Sequence, residues 1–309
     1  MICLNAAIDQ PAIRPQVSRR LGSIEGLPRG PGRRTMYRDL LVHVDGEEGD
    51  RHRIEFAVGL ATRTGARLNG LHVTPIADIP PVYKPTQIEA AVAHASAELA
   101  GQTRAARLAF ETLAKIRLAD TSWLEMGGDI VEGVSARARY SDLVILGQDE
   151  WQEPLERHPL PLAHSVVLRC GRPVLVVPRG VMSAGLARIA VAWDGSREAV
   201  RAVHDALPLL TSASTIDVLT IVAARNVNAS EDANHLIVHL ANHGVAAESK
   251  VIRATEAEEH KALHEAVEHD AYDLLVMGAY SHARWIEFIL GGATQSTLLS
   301  SSIPVLVSH

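Results

Sequence analysis

A glycine-rich turn near the end of the chain is the clearest candidate for chemistry. Residues 273–277 (DLLVM) read as a buried strand that ends at Gly278, and Gly291 and Gly292 follow just before a predicted helix. Ligands of open parallel sheets bind beyond the carboxyl ends of the strands, where glycine lets backbone amides approach an anion. A helix N-terminus behind the turn adds unpaired amides and a partial positive charge. The pattern indicates a phosphate-binding turn, although a glycine at a strand end is more often only a tight turn.

This turn belongs to the second of two copies, because the chain repeats itself. Residues 40–46 (LLVHVDG) reappear as residues 189–195 (IAVAWDG), and residues 173–177 (PVLVV) reappear as residues 304–308 (PVLVS). A repeat of this length indicates two copies of one domain. A chain of 309 residues is also long enough for two domains of about 150 residues each.

The spacing of matched residues shows where the copies differ. Val73 and Val222 lie 149 positions apart, as do the aspartates in the repeated segments, whereas Gly147 and Gly278 lie 131 positions apart. The first copy therefore carries 18 more residues in its middle, and we expect most of them in a long helix that opens near Thr86.

Composition restricts the class of protein. Hydrophobic residues make up 47% of the chain and charged residues 21%, which is typical of a globular protein. No apolar run reaches the ~20 residues of a membrane span, and no secretory signal is visible, so we expect a cytoplasmic protein without a membrane partner. The two cysteines, Cys3 and Cys170, are too few for a disulfide framework or a metal cluster.

The amino-terminal segment differs from the rest of the chain. Residues 1–36 contain six arginines against Asp9 and Glu25, several prolines and no hydrophobic periodicity, so we expect a disordered basic tail. The remaining chain then carries a net charge of about −10, which makes a nucleic-acid partner unfavourable. We place the first domain at residues 37–178 and the second at residues 188–309.

Each copy alternates β-branched runs with longer amphipathic stretches, which predicts parallel strands joined by helical crossovers. The fold class is therefore α/β, with two tandem five-stranded, mostly parallel sheets sandwiched by helices. The last strand of each copy, at residues 174–177 and 305–307, reads as a sheet edge. Pairing these two edges would join the copies as an intramolecular pseudo-dimer.

Several ordered motifs resemble one protein family. A first strand that ends at Asp45 or Asp194, a late turn at Met277 and Gly278, and a final PVLV strand occur in order in the chain. Together they resemble the universal stress protein family in its tandem form, over residues 36–309. The resemblance implies an adenine-nucleotide α-hydrolase-like fold, a role as a stress-response accessory, and ATP as a ligand.

In nucleotide-binding members of that family, the turn reads glycine, two residues, glycine, nine residues, glycine and then serine or threonine. Gly278 and Gly291 keep their positions here, whereas Ser281 replaces the middle glycine and Gly292 replaces the hydroxyl residue. Serine disfavours a positive φ, and loss of the hydroxyl removes a hydrogen bond of about 1 kcal/mol. We therefore expect weakened rather than abolished binding in the second copy.

The resemblance also implies which groups contact the nucleotide. Asp194 would face the nucleoside, and the backbone of Val222 would meet the adenine edge. His282 and Arg284 are further candidates as cations for the phosphates. The predicted cofactor-binding residues are Asp194, Val222, Gly278, Ser281, Gly291 and Gly292.

The first copy departs further from the family pattern. Gly147 is followed by Asp149, Glu150 and Glu153, which would repel phosphate, and no pair of glycines follows. We interpret this copy as a degenerate partner that packs or regulates.

Other chemistry has weaker support. His235 with His239, and His260 with His264, have the spacing of metal ligands on one helical face, but no further ligand completes either pair. We expect solvated histidines and no metal. Ser196 lacks the setting of a nucleophile and fits a helix N-cap, so we expect no dedicated catalytic residue.

Three functions stay open at this point. The first is a nucleotide-binding stress-response accessory. The second is a nucleotide-independent interaction or scaffold module of the same fold, with an unknown protein partner. The third is a slow ATPase, for which the sequence offers no convincing activating group. A homodimer of whole chains is compatible with each of them.

Overall fold

The computed structural model describes residues 36–47, 49–75, 85–118, 120–149, 161–222, 229–255, 258–279 and 293–309. These belong to one compact unit that spans Thr35–His309. The tail predicted at residues 1–36 lies, apart from Met36, outside the described residues. Within the described part, no helix is both long and apolar enough to cross a membrane.

The described residues of the first copy form five strands and four helices in strict alternation. They are β1 (Asp39–His43), α1 (Asp50–Thr64), β2 (Arg67–Thr74), α2 (Pro85–Ala114), β3 (Thr121–Gly127), α3 (Ile130–Ala138), β4 (Leu143–Gly147), α4 (Leu162–Cys170) and β5 (Val174–Val177).

The second copy repeats that order. Its elements are β6 (Arg188–Ala192), α5 (Arg197–Leu210), β7 (Thr215–Val222), α6 (Ala229–Asn242), β8 (Glu248–Arg253), α7 (Glu259–His269), β9 (Leu274–Gly278), α8 (Ala293–Ser300) and β10 (Val305–Ser308). The excess length of the first copy lies largely where it was predicted, since α2 has 30 residues and its counterpart α6 has 14.

All ten strands form one sheet, in the order β3-β2-β1-β4-β5-β10-β9-β6-β7-β8. Strands within each copy are parallel, whereas β5 and β10 are antiparallel, with Leu175 opposite Leu306. The predicted α/β class and the predicted pairing of the two last strands are confirmed. Because the copies run in opposite directions, their carboxyl strand ends lie at opposite edges of the joined sheet.

Two layers of helices cover the sheet, because alternate strand residues face opposite sides. On β1, Leu40 and Val42 pack in the cluster that contains buried residues of α1, α2, α5 and α6. Leu41 packs in the other cluster, with buried residues of α3, α4, α7 and α8. Both clusters contain residues of both copies, so on each face of the sheet the two halves share one hydrophobic core.

Polar contacts also join the copies beside the β5–β10 pair. The Tyr37 hydroxyl, just before β1, donates to the carbonyl of Asp205 on α5 at 2.7 Å. Gln148, just after β4, donates from Nε2 to the carbonyl of Ser301 at 3.0 Å. Helix α5 and the end of α8, which flank the second copy's turn, therefore rest on the first copy.

Candidate functional site

Backbone hydrogen bonds align the two copies at the carboxyl ends of their first strands. Val44 donates to the carbonyl of Leu71 at 2.8 Å, and Trp193 donates to the carbonyl of Leu219 at 2.9 Å. The next two residues in each copy are aspartate and a glycine with positive φ, 91° at Gly46 and 73° at Gly195. Asp45 and Asp194 are therefore equivalent, as the repeat predicted.

The second strands align differently from the prediction. Leu71 is equivalent to Leu219, so the counterpart of Val222 is Thr74 and not Val73. The predicted equivalence of Val73 and Val222 was wrong, because the segment from Asp194 to Leu219 is one residue shorter than the segment from Asp45 to Leu71. A shift of one residue moves a side chain to the opposite face of the sheet.

Asp194 is held at the end of β6 by the start of the next helix. Its Oδ1 accepts hydrogen bonds from the backbone amide of Ser196 at 3.0 Å and from the Ser196 hydroxyl at 2.6 Å. The same hydroxyl oxygen accepts the amide of Ala199 at 3.1 Å, so Ser196 is the N-cap of α5, as predicted. Asp194 is exposed and oriented at the carboxyl edge of the sheet.

Val222 is the last residue of β7 and pairs with Arg253 on β8. Its carbonyl accepts the Ala254 amide at 3.4 Å. This backbone therefore lies at the same edge as Asp194.

Gly278 has a packing role that the sequence did not indicate. A Cβ built on Gly278 would lie 2.5 Å from the backbone nitrogen of Ala199 and 2.9 Å from the Cβ of Glu198. The first turn of α5 therefore rests directly on the end of β9, which only glycine permits. Glu198 is 3% exposed and is ion-paired with Arg197, so a buried carboxylate also lies beside this turn.

The remaining predicted site residues lie outside the described part of the chain. These are Ser281, Gly291 and Gly292, together with the candidate cations His282 and Arg284. The helix expected after Gly292 is present as α8, which begins at Ala293.

The mouth of the turn differs between the copies. Among the described residues, a Cβ built on Gly195 would meet only the Asp232 carboxylate, at 3.9 Å. A Cβ built on Gly46 would lie 2.7 Å from the carbonyl oxygen of Gln102 on the long helix α2. As far as the structure describes the chain, the second copy is open at this point, whereas α2 closes the first.

In the first copy, a cluster of charged side chains also fills the space beside the turn after β1. Arg53, which is 6% exposed, donates from Nη2 to Asp45 at 2.9 Å and is ion-paired with Asp50. Burial opposes ionisation of Asp45, but the charge and hydrogen bond of Arg53 outweigh it and hold the Asp45 pKa below its ordinary value. Burial raises the pKa of Asp50 above its ordinary value, against the opposing effect of Arg53.

Asp149 occupies the helix N-terminus of the first copy. Its Oδ2 accepts the backbone amide of Ala163 at 3.1 Å, in the first turn of α4. Burial raises the pKa of this carboxyl group. In the second copy, the phosphate is predicted to bind at the equivalent helix N-terminus, that of α8. In the first copy, the Asp149 carboxylate accepts a free amide of the helix N-terminus in place of a phosphate.

A family model for the "Universal stress protein family" matches the chain twice, over residues 36–178 and 186–309. The chain belongs to the universal stress protein family. Because the match covers both halves, the protein is a tandem universal stress protein, which confirms the resemblance seen in the sequence.

A solved structure supports this fold, and two others are similar to about half of the chain. A universal stress protein from Archaeoglobus fulgidus DSM 4304 has a TM-score of 0.66 at 17% identity, over 87% of this chain and 95% of that one. A family protein from Burkholderia pseudomallei has a TM-score of 0.33 at 24% identity, over 48% and 99%. A universal stress protein in complex with cAMP has a TM-score of 0.37 at 18% identity, over 46% and 98%. A search of curated proteins returned no match.

Sequence reasoning missed Arg53 and Asp50 in this universal stress protein. They lie eight and five residues after Asp45, where the second copy has Ala202 and Ala199 after Asp194. The buried positions of α1 and α5 coincide at this offset, which supports the equivalence. Comparing the two copies residue by residue would have revealed a charged pair in place of two alanines on a buried helix face.

The histidine pairs form no metal centre among the residues described. No group of three or more histidine, cysteine, aspartate or glutamate side chains there is placed to hold a metal ion. His264 instead faces Glu268 at 3.4 Å, one turn further along α7.

Proposed function

We propose that this tandem universal stress protein is a stress-response accessory whose second copy binds an adenine nucleotide, with ATP as the first candidate. The proposed contacts are those that the resemblance implied: Asp194, Val222, Gly278, Ser281, Gly291 and Gly292. We propose residues 37–178 and 188–309 as the two domains, and the cytoplasm as the location.

One observation carries the proposal, namely the difference between equivalent glycines at the two strand ends. Among the residues that the structure describes, none closes on Gly195 at the carboxyl edge of the second copy, whereas the carbonyl of Gln102 closes on Gly46 in the first. Ligands of parallel sheets bind at this edge, and a closed mouth excludes them. The open copy is also the one that keeps the Gly-Gly pair before a helix.

Within this proposal, each described residue has a definite task. The exposed Asp194 carboxylate, oriented by Ser196, accepts hydrogen bonds from hydroxyl groups of the nucleoside. The backbone of Val222 flanks the base at the end of β7. The amides at the start of α8 stabilise the phosphates.

The proposal assigns binding without a dedicated catalytic residue. The Ser196 hydroxyl donates to Asp194 and accepts the Ala199 amide, so it is engaged in capping α5. Binding energy here would serve a conformational or interaction role rather than bond cleavage.

A second candidate is a nucleotide-independent interaction module, and Gly278 favours it. The Cα face of this glycine is covered by α5, with the buried Glu198 beside it. A covered glycine and a nearby carboxylate both reduce the space and the potential available to a phosphate. A protein partner, or a second copy of the chain, would then be the ligand.

Isothermal titration of the full chain with ATP and Mg²⁺ separates these candidates, with cAMP and GTP titrated in parallel. We expect one adenine nucleotide per chain. Asp194→Asn should weaken binding about tenfold, because a hydrogen bond to a charged group contributes about 1.5 kcal/mol. Asp45→Asn, at the equivalent position of the closed copy, is the matched control and should leave the affinity unchanged.

Two outcomes contradict the proposal. No heat at millimolar ATP would remove nucleotide binding and favour the interaction module, which light scattering and a pull-down from stressed cells would then examine. Two nucleotides per chain would show that the first copy is not closed.

A further inference from the structure

A single buried cation lies among carboxylates at the carboxyl edge of the first copy. Arg53 projects from the first turn of α1, and its Nη2 contacts Asp45 Oδ2 at 2.9 Å and Asp50 Oδ1. Its Nε is buried and has no hydrogen-bond partner among the residues that the structure describes. The guanidinium group therefore occupies an enclosed space without using all of its donors.

The surroundings of this guanidinium are also held by contacts that do not involve Arg53. Asp50 accepts the amides of Asp45 at 3.1 Å and Gly46 at 2.7 Å, so its carboxylate is held in place by the β1–α1 turn. A Cβ on Gly147 would overlap the guanidinium group, so this glycine supplies a flat wall. Two oriented carboxylates and a flat wall match the planar, forked shape of a guanidinium.

The equivalent space in the second copy is built differently. There, Ala199 and Ala202 replace the acid and the arginine, and the helix backbone itself rests on Gly278. In the first copy, the walls of this space carry the negative charges of Asp45 and Asp50, whereas a phosphate site needs positive charge or amide donors.

We propose that the carboxyl edge of the first copy is a guanidinium-binding site, which the side chain of Arg53 occupies from within. The ligand class is a planar guanidinium cation and not an anion. The site stands independently of nucleotide binding in the second copy, because none of the described residues of that copy contributes to it.

The experiment removes the internal occupant and supplies a free one. Arg53→Ala in the full chain should lower the melting temperature by about 5–10 °C, because it removes the ion-pair partner of the buried Asp50 carboxylate and of the partly exposed Asp45 carboxylate. Methylguanidinium chloride at 1–20 mM should then restore at least a third of the loss. Arg51→Ala, an exposed arginine on the same helix, is the matched control and should change the melting temperature by about 1 °C or less.

Specificity distinguishes a site from an ordinary ion pair. Equal concentrations of sodium chloride or of neutral N-methylurea should restore nothing in Arg53→Ala, and methylguanidinium should not stabilise the wild type or Arg51→Ala. Recovery by sodium chloride, or none by methylguanidinium, would overturn the proposal.

A second variant covers the case in which Arg53→Ala does not fold. Arg53→Lys keeps the charge and removes the planar fork, so it should fold with a lower melting temperature than wild type. A wild-type melting temperature for Arg53→Lys would show that any cation suffices, and it would also overturn the proposal.

Discussion

At the carboxyl edge of the first copy, Arg53 and Asp50 stand where the second copy has Ala202 and Ala199. The strands that lead to the two edges are alike, and each is followed, two residues after its end, by an aspartate and then by a glycine with positive φ. What differs is the group that fills the turn. In the first copy it is a side chain of the protein, and in the second it is the first turn of α5.

This difference shows that the shared fold does not depend on the contents of the turn. The buried alternation of the strands and the β5–β10 pair hold both copies, and neither uses the loop residues. Substitutions at strand ends can therefore close one copy while the other keeps an open edge. The pairing of the copies is retained because it rests on the interior and not on a ligand.

Among substitutions that test this difference between the copies, we expect the largest loss of stability at Gly278. Gly278→Ala places a Cβ about 2.5 Å from the backbone nitrogen of Ala199, which a side-chain rotation cannot relieve. We expect a loss of about 3 kcal/mol or more in the free energy of unfolding, measured by urea denaturation. The matched control is Gly101→Ala in α2.

Gly101 separates a packing effect from a general effect of glycine replacement. Among the described residues, none has an atom within 4 Å of a Cβ built there. Alanine in a helix interior should then stabilise by about 0.5–1 kcal/mol. Equal and small changes at both positions would mean that α5 does not rest on Gly278.

The same glycine illustrates what the sequence could and could not predict. The end of the strand at Gly278 follows from a run of apolar residues, and the repeat predicts its counterpart at Gly147. The reason for the glycine is the approach of α5, which depends on where that helix begins. Helix α5 begins at Arg197, whereas α1 begins at Asp50, the equivalent of Ala199, and sequence spacing does not show this difference.

The alignment of β2 with β7 could not be predicted from the sequence either. Val73 and Val222 match by residue type, yet the hydrogen bonds make Thr74 the counterpart of Val222. Both strands are apolar on both faces, so sliding one by a residue preserves the hydrophobic match. By contrast, the pairing of the two last strands was predictable, because an apolar strand at a sheet edge must be covered.

We expect a smaller loss of stability when alanine replaces either of the equivalent glycines that follow the two aspartates, Gly46 and Gly195. Gly46→Ala and Gly195→Ala both place alanine at a positive φ, at a cost of about 1 kcal/mol. Only at Gly46 would the new Cβ also meet the carbonyl of Gln102, which adds about 1–3 kcal/mol. Urea denaturation should therefore show the greater loss for Gly46→Ala. Equal losses would indicate that α2 does not close the first copy.

The smallest effect concerns His43, at the end of β1, whose counterpart in the second copy is Ala192. His43 is 3% exposed, and within the described part of the chain neither of its ring nitrogens has a hydrogen-bond partner. Burial, assisted by the charge of Arg53, lowers its pKa from an ordinary value of 6.5 to about 3. Between these values the unfolded chain binds a proton that the folded protein does not, so stability falls as the pH falls.

Between pH 7 and pH 5, His43 alone should reduce the free energy of unfolding by about 2 kcal/mol. Other groups also titrate in this range: burial lowers the pKa of His164 to about 4, which acts with the same sign, and the raised pKa of Asp50 acts with the opposite sign. Urea denaturation of the wild type and His43→Leu at both pH values isolates His43, because the other groups are present in both proteins. The wild type should lose about 2 kcal/mol more than the variant. Parallel losses would mean that the first copy accepts a proton at His43, and that its turn is less tightly closed than the Arg53 cluster indicates.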